Sequence, residues 1–249
     1  MALQQASGGA PGLVIADRYR LDQLSGDTLR TEVWEGWDLA LARPVMVKLI
    51  HAGDIPTAGG RLGLTGVVDL FDATNHQGMA VLVFERLECW PLNQLLHQQP
   101  VLHPDEVAAW VAGAARVVES AHHCGIPHGA ITPSNILVLP DRSVRLTDFR
   151  GRPTGNGDGP FDTQPDLLAL SLLLHDLLLR CPRSLVSNFL WSLADPDALP
   201  QPDSVLAFRL LLEHQPESAS SNTRKWWWPV VASGFFVAGV AALSWLLIT

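Results

Sequence analysis

The sequence predicts an α+β fold in two lobes, a β-rich one first and a helical one second, followed by one membrane-spanning helix. Three observations lead there. Residues 13–84 hold short alternating apolar runs with turn residues between them and no clear helical period. From Leu92 onward the apolar spacing becomes helical, and strands followed by helices, rather than alternating with them, place the sheet and the helices in separate layers. Finally, Trp226–Thr249 contains no charged residue. As a helix that run reaches about 35 Å, enough to cross the hydrocarbon core of a bilayer.

Five strands are expected in the first lobe. Arg18-Tyr19-Arg20-Leu21, Glu32–Trp37 and Pro44–Ile50 are the first three, and Val67–Asp72 and Met79–Phe84 flank the turn residues Asn75-His76-Gln77-Gly78. The segment Ala52–Gly66 carries five glycines and Pro56, which argues against a stable helix there. In the second lobe Leu92–Leu96 is a short helix. Pro104-Asp105-Glu106 opens a long one over Val107–His123, with Gly125 just past its end. Asp166–Arg180, nearly all leucine, reads as a buried central helix, and Leu185–Leu193 and Ser204–His214 as two more. The resulting division is a flexible N-terminus at 1–12, a folded domain at 13–213, a polar linker at 214–225 and a transmembrane helix at 226–248.

Composition narrows the function. A net charge of −8 gives nucleic-acid binding no electrostatic support. Three widely separated cysteines fit reduced thiols in a cytosolic domain. His122, His123, Cys124 and His128 crowd together, but their spacing matches no zinc pattern, and packing at a helix end is the favoured reading. Arg224 and Lys225 precede the apolar run, and Trp226, Trp227, Trp228 and Trp245 lie at its ends, which places residues 1–225 on the cytoplasmic face of the cell membrane. Met1–Gly12 lacks the apolar core of a signal peptide, so the tail is the expected anchor, with nothing of size beyond it. Gly234, Ala238 and Ala242 recur every four residues, a spacing compatible with pairing of two spans in a homodimer.

The chemistry concentrates in two segments, His128-Gly129-Ala130-Ile131-Thr132-Pro133-Ser134-Asn135 and Thr147-Asp148-Phe149-Arg150. In residue type and spacing they resemble the catalytic and metal-binding loops of Ser/Thr protein kinases, His-Arg-Asp-x-Lys-Pro-x-Asn and Asp-Phe-Gly. Over about residues 13–213 the chain looks like a degenerate member of the bacterial Hanks-type kinases, a pseudokinase, so the expected fold is the two-lobed kinase one. The resemblance implies that Ala130 stands where the catalytic aspartate accepts the substrate proton, and Thr132 where its companion lysine stands. It also implies that Gly26-Asp27-Thr28-Leu29-Arg30-Thr31 replaces the glycine-rich phosphate loop with one glycine of three.

Lys48, in Val45-Met46-Val47-Lys48, matches the phosphate-contacting lysine, or is simply an exposed strand lysine; no glutamate lies between it and Phe84 to pair with it. Asn135 and Asp148 match the magnesium-holding pair, though each also has a structural reading as a turn-stabilising residue, which is favoured. Arg150 replaces a glycine and is able to reach the vacated phosphate region. Asp166 matches the aspartate that braces the catalytic-loop backbone, and no Ala-Pro-Glu motif closes the segment 151–164.

The implied protein has no catalytic residue, no cofactor beyond weak or vestigial ATP and magnesium binding, and no metal of its own. Its expected role is a scaffold or regulator at the cytoplasmic membrane face, holding a protein partner the sequence does not name. Thr154 and Thr163 are candidate phosphorylation sites in the glycine-rich segment. Two alternatives stand beside this: a nucleotide sensor using Lys48, Asn135 and Asp148, and an unconventional kinase drawing its base from Asp141 or Asp158.

Overall fold

The computed structural model describes residues 8–51, 63–150, 162–194 and 202–214. The small lobe is an antiparallel sheet formed by β1 (Val14–Ile15), β2 (Tyr19–Asp27), β3 (Thr31–Asp38), β4 (Arg43–Ile50), β5 (Leu70–His76) and β6 (Met79–Glu85), in the order β1-β2-β3-β4-β6-β5. Period-two alternation sorts its faces. Trp34, Val45, Val47, Leu49, Val81 and Val83 share one face and pack with Ile15, Tyr19 and Leu21. The next residues along β4 and β6, among them Lys48, Ile50, Ala80 and Leu82, point to the other face, where Ile50, Ala80 and Leu82 form a second apolar cluster. Residues 8–12, expected to be loose, are seated on the first face. Gly9 N–H donates to Glu32 Oε2 at 2.9 Å and Gly12 N–H to the Leu21 carbonyl at 2.7 Å.

β5 is shifted from the strand expected at Val67–Asp72. Val67 and Val68 leave the small sheet and ladder onto the other lobe, Val68 N–H reaching the Leu146 carbonyl at 2.9 Å and Leu146 N–H the Gly66 carbonyl at 2.8 Å. The cause is apolar burial: Val67 belongs to the core of the helical lobe, so the strand starts at Leu70 and runs through Asn75 to the turn at Gln77-Gly78. Gly66 permits the crossing. Its φ is +93°, and a Cβ there would lie 2.3 Å from the Val117 side chain.

The helical lobe contains α1 (Leu92–Gln98), α2 (Pro104–His123), α3 (Gln164–Leu178), α4 (Leu185–Ala194) and α5 (Val205–Glu213). A small sheet of β7 (Trp90–Pro91), β8 (Ile136–Val138) and β9 (Val144–Leu146) lies against α1 and α2; two- and three-residue strands are too short to show a period. Pro104 sits in the first turn of α2, and Val107, Val111, Ala114, Val118 and Ala121 supply its buried stripe. Two departures from expectation concern α3. It begins at Gln164, and it is half-buried rather than central: Leu167, Leu170, Leu174 and Leu177 face the core, while Leu168 and Leu172 are exposed. Among the described residues its helical packing partners are α2, α4 and α5. Among the described residues no helix is long and apolar enough to cross a membrane; the expected span at 226–248, its small-residue repeat, Thr154 and Asp158 lie outside them, as does most of the Ala52–Gly66 segment.

Candidate functional site

Both loops singled out in the sequence meet at the junction of the lobes, and Asp166 organises the first. At the start of α3, its Oδ2 accepts the His128 N–H at 2.7 Å and its Oδ1 the Gly129 N–H at 2.8 Å. His122 Nε2 lies 2.8 Å from Oδ2. Burial alone would push this carboxyl up, but the bonds from His122 and the two amides outweigh it and hold the group below its usual range. Gly129 is left-handed, with φ +69°, which turns the chain so that successive amides converge on one carboxylate.

His128 is fully buried, its ring 4.2 Å from that of Phe149 and tilted by 31°. Its Nδ1 accepts the Ala130 N–H at 3.2 Å, so the ring proton resides on Nε2, a buried donor with no partner among the described residues. Desolvation depresses the imidazole from 6.5 to about 4 despite the nearby Asp166 and Asp148, and the ring is neutral at pH 7. The Arg150 N–H donates to the His128 carbonyl at 2.8 Å, which ties the two loops together.

Asn135 is turned inward: its Nδ2 donates to the Ala130 carbonyl at 2.8 Å, and its main-chain carbonyl accepts the Thr147 N–H at 3.1 Å. Lys48 crosses from the small lobe and its Nζ donates to Asp148 Oδ2, joining residues 100 apart in sequence; the side chains are 14% and 11% exposed. Lys48 is thus no solvated strand lysine. Asp148 adopts a left-handed φ of +64°, which costs a non-glycine residue conformational energy and which this contact helps to hold.

In place of a glycine-rich loop is a short hairpin. Thr28 N–H donates to the Thr31 carbonyl at 2.8 Å, the two hydroxyls lie 2.8 Å apart, and Leu29 at the tip is exposed. Sequence reasoning missed the half-buried Glu32, which draws together three groups: Gly9 N–H, Trp34 Nε1–H at 2.8 Å, and His51 Nε2 at 2.7 Å. A lone strand glutamate gives no sequence signal of this kind.

Other candidates are not brought in. Arg150 is exposed, so its cation does not fill the phosphate region. Asp141 caps the β8–β9 turn, accepting Ser143 Oγ at 2.6 Å and Ser143 N–H at 2.9 Å, bonds that hold it below its usual range and away from the role of a base. Thr163 stands at the start of α3, half-buried, its hydroxyl making no capping bond. Of the histidine–cysteine crowd, His122 is taken by Asp166 and His123 Nδ1 lies 2.8 Å from the Glu119 carbonyl; among the described residues no three such groups converge as metal ligands.

A model of the protein kinase domain matches residues 60–151. The probable serine/threonine-protein kinase PknB of Corynebacterium glutamicum is 28% identical over 152 residues, 55% of this chain and 24% of that protein. Serine/threonine-protein kinase PknA of Mycobacterium tuberculosis is 28% identical over 155 residues, 55% of this chain and 36% of that one. PknL of the same organism is 27% identical over 188 residues, 62% and 47% respectively. The chain thus spans less than half the length of each of these relatives. With β-strands leading, helices following, and the two loops meeting where the lobes join, the chain is kinase-like in fold and similar to bacterial Ser/Thr protein kinases over about half its length.

Proposed function

We propose that this is a membrane-tethered kinase-like domain that transfers no phosphate and acts as a scaffold or regulator. The observation carrying the reading is Ala130. At the position where kinases hold a carboxylate there is a methyl group, its amide bonded to His128 and its carbonyl to Asn135. Loss of a general base alone removes a factor of roughly 10²–10⁴. The groups that would hold magnesium and nucleotide do not fit that task as they stand, because Lys48 and Asp148 are spent on each other and Asn135 on the Ala130 carbonyl. The charge-free run from Trp226, preceded by Arg224 and Lys225, supports the tether.

The test is isotope-labelled phosphate transfer from Mg·ATP by the full chain, to itself and to a generic protein acceptor. The expected result is none; transfer that a Lys48→Ala variant abolishes would establish an unconventional kinase. A second reading, nucleotide sensing without turnover, requires the ligand to part Lys48 from Asp148. Thermal melting separates the two, since a ligand of the native state raises the midpoint. No shift at millimolar Mg·ATP is expected. Thr163, at the N-terminus of α3, is the candidate phosphorylation site that falls within the described residues. Mass spectrometry of the membrane-purified protein reads this directly.

A further inference from the structure

α5 buries Val205, Phe208 and Leu212 against the lobe, yet it also turns leucines toward solvent. A surface helix ordinarily turns its charges outward and its leucines inward. Here Arg209 is directed inward, its Nε 2.7 Å from Glu119 of α2 and its Nη1 2.8 Å from Glu213. Arg116 of α2 closes the set with a 2.5 Å bond to Glu213. On the outward side Leu206, Leu210 and Leu211, at spacings of four and five residues, are 43%, 41% and 38% exposed. Gln164 Nε2 reaches the Asp203 carbonyl at 3.4 Å, linking the start of α3 to the segment before α5, and α3 has exposed leucines of its own, Leu168 and Leu172, each 52% exposed.

We propose that this outward face of α5 lies against the lipid bilayer, its leucines seated at the boundary between headgroups and acyl chains. The inference rests on the membrane tether proposed above. The apolar run begins at Trp226, twelve residues past the helix (214–225), and twelve residues span at most about 40 Å even when fully extended. A tether of that length keeps a weak apolar surface at high effective concentration beside the membrane, so three leucines suffice where a free amphipathic helix needs more. The charges around α5 neutralise one another, so attraction to anionic lipid is not the driving force, and the contact is insensitive to salt.

The experiment uses the full chain reconstituted in phosphatidylcholine vesicles, with a photo-crosslinking phenylalanine analogue at Leu206, at Leu210, or, as control, at Leu29 on the small-lobe hairpin. Mass spectrometry should find lipid adducts at Leu206 and Leu210, several-fold above Leu29 and unchanged by high salt. Capture of a second copy of the chain at Leu210, or no adduct above the Leu29 level, overturns the inference if alkaline carbonate leaves the chain in the vesicles. Release by carbonate overturns the tether itself, and this inference with it. A Leu210→Gln variant combined with the Leu206 probe guards against stray labelling: adducts there should fall, and undiminished labelling would count against a seated face.

Discussion

Asp166 makes the heaviest single-residue contribution to the loop. Replacing it with alanine leaves two amides and an imidazole without their acceptor, and breaking a buried charged network in this way costs about 3 kcal/mol. Urea denaturation of Asp166→Ala should show that loss. The sequence singled out this residue through its match to the kinase aspartate that braces the catalytic loop; which amides converge on it is legible only in the structure. His128 gives a pH signature. Its folded imidazole sits near 4 against an ordinary 6.5, so as pH falls the unfolded chain takes the proton first. Its contribution to stability is intact above pH 6.5 and is lost progressively between 6.5 and 4, by about 3 kcal/mol in all. Across that window the melting temperature of His128→Asn should fall less steeply than that of the wild type. The pair of Lys48 and Asp148, both largely buried, predicts that Lys48→Met destabilises by about 2 kcal/mol, and that a double variant with Asp148→Asn recovers part of the loss.

Among the elements, legibility followed length. β3, β4 and β6 alternate cleanly, and α2 carries proline, acids and a buried stripe, so each lay within a few residues of its predicted place. β8 and β9 were missed because three residues cannot show a period, and β5 was misplaced because Val67 joins the other lobe's core and Val68 bonds to Leu146. For α3 the leucine content was read correctly but its burial was not. A helix apolar on all sides signals something packed around it, and the described residues supply that for one side only. The crossing at Gly66 yields a prediction for this level. Gly66→Ala confronts both a positive φ and the Val117 side chain, and should cost more than 2 kcal/mol, whereas alanine at the open Gly26 should cost under 1.

For the whole molecule, the recognisable loops located the candidate site but named no partner. Restoring Ala130→Asp and Thr132→Lys together should still give no measurable phosphate transfer, because Lys48 stays paired with Asp148 and no glycine-rich loop covers the phosphates. Transfer by that variant would show that the base alone was missing. A pull-down from detergent-solubilised membranes addresses the partner. The ladder between Gly66–Val68 and Leu146 has a further consequence, for biosynthesis. It joins positions 80 apart (146 − 66), so the connection leading into β5 has its partner only after the ribosome has made residue 146. A nascent chain stopped near residue 90 would then expose the apolar Val67-Val68 step and an incompletely anchored sheet. The small lobe should therefore acquire protease resistance late in translation and in a single step, together with the loops of its neighbour.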